Sequence, residues 1–567
     1  MLLSRYKDEM LKLHILVDEF TQEHPTLASI FGGANADPDL ERLLEGTALQ
    51  AASLRERLED DFPEVIHPLV QRVQPRWLRL TPAATIVSFT PNLSVKEQLV
   101  IPKGARVSSV PVDGHRCHFS TCSEVVVHPI TLVDAAYLHP PGQQPMITLD
   151  FSMNGISPSQ WSVSSLRLFL GGTFCAAADL NLLLSRYLDH VLIEPRDGPR
   201  CMLPRDVSFA NVQYDPLLPD LHSACTGLSA LLDYFTCPEK FLFVDVAGFD
   251  RWRNRGSSSG FKLSFVLKNQ LPFPPPIQSN SFILGATPAV NLFAHEAEPI
   301  PVTETARYRI IPSGKEKKYC TVWAVNNVTG LLREGMVRKR EYCEQATLAG
   351  DVCHTPSYRT ITKLRQLSHG IDLFLELKRP KEVAEVLSAT ITCTDGTLPD
   401  RLGMGDVSVP TAYIPEGIAV RNVTAVTPAA DPPLEPGRLW RLISLTKPHW
   451  MILSQTEGVR SVLETLAASV RTVEGVAGAT VRIGGIENVR VQERDFLRRG
   501  VPWRGIDVVM RLKNEAYQCP GDLYLFASAL ERFLGGFVAE NCLIRLRVED
   551  GAGREYEWPC RPGDMAI

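Results

Sequence analysis

What this 567-residue chain lacks narrows it first. No apolar run approaches the roughly 18 uninterrupted residues of a membrane-spanning helix, so direct membrane insertion is not expected. The segment after Met1 is charged and amphipathic, without the basic n-region and apolar h-region of a secretory signal. The 13 cysteines are odd in number, scattered and never spaced as C-x-x-C. That argues against a disulfide framework and fits reduced thiols in the cytoplasm. No sign of charge dominates either: 59 basic against 64 acidic side chains give no global pull toward nucleic acid or anionic lipid. Aromatics are 8% of residues and are not interleaved with basic ones, so no stacking surface for single-stranded nucleic acid is expected. There is no HExxH, no Rossmann glycine fingerprint and no repeat of fixed period.

The most informative stretch that is present runs from Asp37 to Glu64. Asp37 can cap a helix start, its carboxylate accepting from an otherwise unpaired backbone N–H, and Pro38 falls where a missing N–H costs nothing. Leu40, Leu44, Thr47, Ala51, Leu54 and Leu58 then recur at alternating spacings of four and three, a heptad seam. The preceding segment repeats the pattern with Leu3, Tyr6, Met10, Leu13, Val17 and Phe20. Gly32, Gly33 and Asn35 between them predict an antiparallel helical hairpin, and Glu64 to Val73 a short third helix. Two readings of the seam are open. Both stripes pack on each other and on the body, or they dock a partner, since Leu11, Ile15 and Leu16 widen the first helix's apolar face beyond what one neighbour covers.

Length calls for about three or four domains. Composition and punctuation place them at 1–75 (helical module), 76–270 (β-rich with inserted helices), 271–450 (a second β-rich domain) and 451–567 (a small α+β domain). Alternation at Ile147, Leu149, Phe151 and Met153, at Leu166, Leu168 and Leu170, and at Phe261, Leu263, Phe265 and Leu267 predicts half-buried strands. Leucine-rich helices are expected over Leu180 to Val191 and Ala224 to Phe235. Pro272 to Pro276 and Thr427 to Gly437 read as proline-rich connectors. In the last part, helices are expected at Val459 to Val470 and Phe526 to Phe537. Strands are expected at Val481–Ile483, Val489–Val491, Val508–Leu512 and Ile544–Val548, forming a small antiparallel sheet with the helices on one face. The fold class is therefore α+β, multidomain and β-rich. Charge is locally uneven: residues 37–64 hold nine acidic and three basic side chains, and 305–341 hold nine basic and three acidic.

Chemistry is suggested in four places and supported in none. Gly256 to Gly260 (GSSSG) matches GxSxG around Ser258, but a strand follows it where a nucleophile elbow needs a helix. His115, Cys117, His118 and Cys122 cluster in sequence, yet a strand through them alternates faces and no second ligand pair sits nearby. Pro312 to Lys315 lacks the earlier glycine and the following hydroxyl of a phosphate loop. Glu59, Asp60 and Asp61 fit a helix end better than an acid pair. No catalytic residue, metal or cofactor is expected.

Several of these stretches resemble one family. An N-terminal helix with a Tyr near its start is followed by Glu19-Phe20 with Pro25, then Asp37-Pro38 through Glu41-Arg42-Leu43-Leu44-Glu45-Gly46, then Asp61-Phe62-Pro63-Glu64. Further on come Tyr234-Phe235 with Pro238-Glu239-Lys240-Phe241-Leu242-Phe243, Asn291-Leu292-Phe293, and Trp440-Arg441-Leu442-Ile443-Ser444. Together they are similar to the TssF family of type VI secretion baseplate wedge components. The resemblance implies a structural subunit without turnover, in which two copies associate with one TssG-like subunit. It also implies a TssE-like subunit completing the wedge and TssK-like adaptors joining it to the membrane complex. The expected place is the cytoplasmic base of a membrane-anchored apparatus. Leu3, Tyr6, Met10, Leu13, Val17, Phe20, Leu40, Leu44, Leu54 and Leu58 are the candidate partner interface. One departure is Leu445 to Trp450, where Pro448 interrupts a run the family continues. The competing class is a hydrolase or a ligand-binding module on a β-rich scaffold.

Overall fold

A computed structural model describes residues 2–23, 38–59, 63–205, 209–211, 216–219, 226–275, 277–303, 307–314, 319–334, 336–344, 356–365, 371–378, 385–434, 437–445, 454–470, 473–498 and 500–564. Helix α1 (Leu2–Glu23) lies against α2 (Pro38–Glu59), and α3 (Pro63–Val73) leads into the body. Among the described residues, none of α1 or α2 belongs to any hydrophobic core of the body. The main core begins at Ile66 and Val70 on α3.

Period-two patterning gives the sheets it predicts. Met146–Met153 and Gly260–Leu267 pair antiparallel within a five-stranded sheet, with Ile147, Leu149, Phe151, Phe261, Leu263 and Phe265 fully buried. Ser165–Leu170 lies in a four-stranded sheet beside it. A six-stranded sheet combines strands distant in sequence, with Ala84–Pro91 between Ala286–Val290 and Ile418–Asn422. An eight-stranded sheet holds most of residues 293–394.

Helix α4 covers Phe174–Tyr187, capped by the Thr173 hydroxyl accepting from the Ala176 N–H. It therefore starts earlier than the leucines suggest and ends before Val191, because Leu188–Pro195 is a strand of the five-stranded sheet. Leucine count does not separate a buried helix from a strand buried beside it. Helix α5 (Thr226–Thr236) follows, then α6 (Arg438–Ser444), α7 (Thr456–Ala468), α8 (Val473–Gly484) and α9 (Pro520–Leu534).

Two C-terminal expectations need correction. Val481–Ile483 belongs to α8, where Ala479 and Ile483, four apart, are buried while Val481 is exposed. The C-terminal sheet is mixed: Val501–Leu512 pairs parallel with Leu543–Asp550, because α9 between them supplies the crossover that parallel strands need. The departing segment Leu445 to Trp450, which Pro448 is expected to interrupt, lies outside the described residues after Leu445, and Arg438–Ser444 before it is helical.

Helix α9 ties the C-terminal part to the centre by close approach. A Cβ at Gly521 would lie 2.1 Å from the Ala178 carbonyl carbon on α4. At Gly227 on α5 it would lie 2.4 Å from the Arg532 carbonyl oxygen. Gly227→Ala is therefore expected to destabilise by about 1–3 kcal/mol through overpacking. Gly46→Ala, on α2 with nothing within 4 Å, is expected to stabilise by about 0.5–1 kcal/mol. Urea unfolding of the two variants checks both signs.

Candidate assembly interface

Among the described residues, the two-helix hairpin leaves several large apolar side chains uncovered. Tyr6, Met10, Leu13, Val17 and Leu44 are half-buried between α1 and α2, and Phe20 is exposed. Leu3, Leu40, Leu54 and Leu58 lie within the helices, but their side chains are outside the described ones. Thr47, placed in the seam by its spacing, is exposed, and its hydroxyl donates to the Leu43 and Leu44 carbonyls of its own helix. Ala48 and Ala52 are buried instead, one position along, where small side chains permit close approach. Spacing alone does not show this shift, since alanines carry little periodic signal.

Outside that seam the hairpin presents Leu11 (64% exposed), Ile15, Leu16 (58%) and Phe20 from α1, and Leu43 (67%) and Leu49 from α2. Exposed large apolar side chains are ordinary one at a time, but grouped on one small module they make it the candidate contact surface. The hairpin also carries the ion pairs Lys12–Glu9 and Arg42–Asp39, the second well exposed.

The candidate chemical motifs are taken up by structure. Gly256 has φ +74°, and Ser257 donates through its backbone N–H (2.8 Å) and hydroxyl (3.0 Å) to Asp197. Those bonds hold the exposed Asp197 carboxyl down at about 2. The Ser258 hydroxyl donates to the Gly260 carbonyl, and the loop runs from a 3-10 turn into a strand. Cys117 and Cys122 point into two different cores, and burial pushes the Cys117 thiol up to about 12. His118 pairs with the Ser108 hydroxyl, and His115 Nε2 lies 2.9 Å from Asp395. Among the described residues no three His, Cys, Asp or Glu side chains are grouped as metal ligands. Ser313 N–H donates to the Glu296 carbonyl, whereas Lys315, Asp60 and Asp61 lie outside the described residues. Among the described residues no helix is long and apolar enough to cross a membrane.

Of the motifs that carried the resemblance, those around Lys240, Asn291 and Leu442 sit at buried joints. Asp233 on α5 accepts from Arg76 Nη1 (2.8 Å), Lys240 Nζ (2.8 Å) and the Leu217 N–H (2.7 Å). Asn291 donates to Asp395 Oδ2 (2.7 Å) and to the His118 carbonyl (2.8 Å), fastening the six-stranded sheet to the end of the eight-stranded one. Leu442 is fully buried in the main core. The family described as type VI secretion system, TssF matches residues 1–565.

The chain belongs to the TssF family. A curated relative, the type VI secretion system component TssF1 of Pseudomonas aeruginosa, is 22% identical, covering 99% of this chain and 98% of its own length. A chain in a cryo-electron microscopy structure of the type VI secretion system TssK–TssF–TssG baseplate subcomplex is 27% identical. It superposes with a TM-score of 0.80, over 93% of this chain and 99% of that one. A chain in a structure of the type VI baseplate complex is 23% identical with a TM-score of 0.70, over 99% of each, and shares the fold.

One titration follows from burial near this framework. His128 accepts from Trp161 Nε1 (3.2 Å), and burial lowers its pKa from 6.5 to about 4. The folded state holds it neutral, so its contribution is complete above pH 6.5 and is lost as pH falls toward 4. At about 1.4 kcal/mol per pKa unit, the loss across that window is about 3 kcal/mol. Gln in its place can accept the same N–H without titrating. Denaturant unfolding at pH 7 and pH 4.5 should show a smaller acid loss for His128→Gln than for the parent.

Proposed function

We propose that this TssF-family chain is a structural wedge subunit of the type VI baseplate, on which tail tube and sheath assemble. The observation that carries this reading is the likeness over nearly the whole chain to the TssF subunit of a TssK–TssF–TssG subcomplex. It is joined by a helical hairpin whose apolar face the body does not cover. In this reading α1 and α2 join a TssG-like subunit and a second copy of the chain. A TssE-like subunit completes the wedge, and TssK-like adaptors connect it to the membrane complex from the cytoplasmic side. Function is then geometry and affinity without turnover. The division into 1–75, 76–270, 271–450 and 451–567 belongs to the same proposal, with the first part as the docking module.

The test separates docking from folding. Leu11 and Leu16 are exposed, so Leu11→Asp with Leu16→Asp should leave the melting temperature within experimental error. Against an apolar partner surface the same carboxylates cost several kcal/mol, and copurification with a co-expressed TssG-like subunit should fall at least about tenfold. Leu13→Asp, half-buried in the seam, should lower melting and binding together. Undiminished copurification of the double variant would contradict the docking role of the hairpin.

A further inference from the structure

Beyond assembly, the described residues form a cavity of about 670 Å³ at the junction of the central and C-terminal parts. One side is built by α4, the Pro238–Phe241 turn and neighbouring strands, and the other by α9 and residues 557–561. Its wall carries six cationic side chains, Arg167, Arg186, Arg205, Lys240, Arg532 and Arg561, against two carboxylates, Glu531 and Glu557.

Much of this charge is already matched. Arg167 grips Asp245 with two bonds of 2.8 and 2.9 Å, and Arg561 holds Glu531 at 2.6 Å. Glu557 is drawn to Arg545, and Lys240 shares Asp233 with Arg76. Arg186 is placed differently. Its guanidinium lies over Tyr524, Tyr556 and Trp558, 5.4, 6.0 and 5.1 Å from their ring centres. Its Nε and one terminal nitrogen are buried with no hydrogen-bond acceptor. Arg205 donates to the Ser185 carbonyl, next in sequence to Arg186. Ring faces offset only part of the cost of burying a cation, and a backbone carbonyl carries no full charge. Among the described residues, no carboxylate is paired with Arg186 or Arg205, so their positive charge is left without a full counter-charge.

We infer that the cavity binds an oxyanion, a phosphate or a carboxylate carried on a small organic body, with Arg186 as its central anchor and Arg205 as a second. The volume falls in the range of small-molecule sites, about 300–1,000 Å³, and exceeds what a bare phosphate fills. Guanidinium forks match the planar spacing of oxyanion oxygens, and bonds between two ions are the stronger class. An occupant touches both sides of the junction, so binding also fastens the C-terminal part to the centre.

Titration calorimetry of the full chain with sodium pyrophosphate, and separately with sodium citrate, tests this. Saturable one-to-one binding of at least one anion is expected, weakening as added salt screens the charges. Arg186→Met keeps apolar contact with the rings and should lose at least about tenfold in affinity. Ser528→Glu places a carboxylate on the cavity wall, and it should raise the melting temperature and abolish binding. Tighter pyrophosphate assigns the site to phosphate esters, and tighter citrate to carboxylates. No saturable binding of either anion, or binding that survives Ser528→Glu, overturns the inference, whether or not Arg186→Met folds.

Discussion

A single carboxylate with no exposure to water holds the centre of this chain together. Asp233 sits on α5 and is shared by Arg76, Lys240 and the Leu217 N–H. Arg76 lies in the 3-10 turn just after α3, so it fixes where α3 meets the body. Lys240 lies in the turn that feeds the four-stranded sheet. Helix α5 packs against α9, which ties in the C-terminal part. Removing one partner of such a buried cluster typically costs about 3–5 kcal/mol, because the remaining charges lose their compensation. The seating of α3 on the body therefore depends on an interaction outside that helix.

The same construction recurs at the other joints. Asp522 at the start of α9 is fully buried and gripped by Arg482 of α8, with bonds of 3.0 and 3.1 Å. Asp507 in the C-terminal sheet collects Arg545 and Arg547 from the neighbouring strand, and those bonds hold its carboxyl below the usual range despite its burial. Asn291 and Asp395 close the contact between the six- and eight-stranded sheets. Buried polar joints of this kind fix relative orientation more than they add net stability, since alternative packings leave charges unpaired. The proposed wedge role, in which output is geometry, draws on that property.

Much of the secondary structure was legible in the sequence, for identifiable reasons. Strands such as Met146–Met153 alternate cleanly because one face is buried and the other is not. The α1–α2 hairpin announces itself through leucines at heptad spacing, and its excess apolar width at Leu11, Ile15 and Leu16 is visible as real exposure. Legibility ends where tertiary context decides. Leu188 to Val191 continues a leucine-rich run yet turns into a strand, and Val481–Ile483 has β-branched residues yet sits in α8. The parallel pairing of Val501–Leu512 depends on where α9 packs, which no local pattern encodes. Ala48 and Ala52 escape a search for large apolar residues, although they form the close part of the seam. The cavity around Arg186 was beyond reach altogether, because its wall joins residues from 122 to 561.

The central claim of the proposal is that the hairpin is the docking module of the chain. Hydrogen–deuterium exchange of the free chain against its complex with a TssG-like subunit tests this most directly. Backbone amides of α1 and α2 are expected to gain protection on binding, while those of α5 and the five-stranded sheet, already buried, should stay unchanged. A complex that forms without added protection in α1 or α2 would contradict the account.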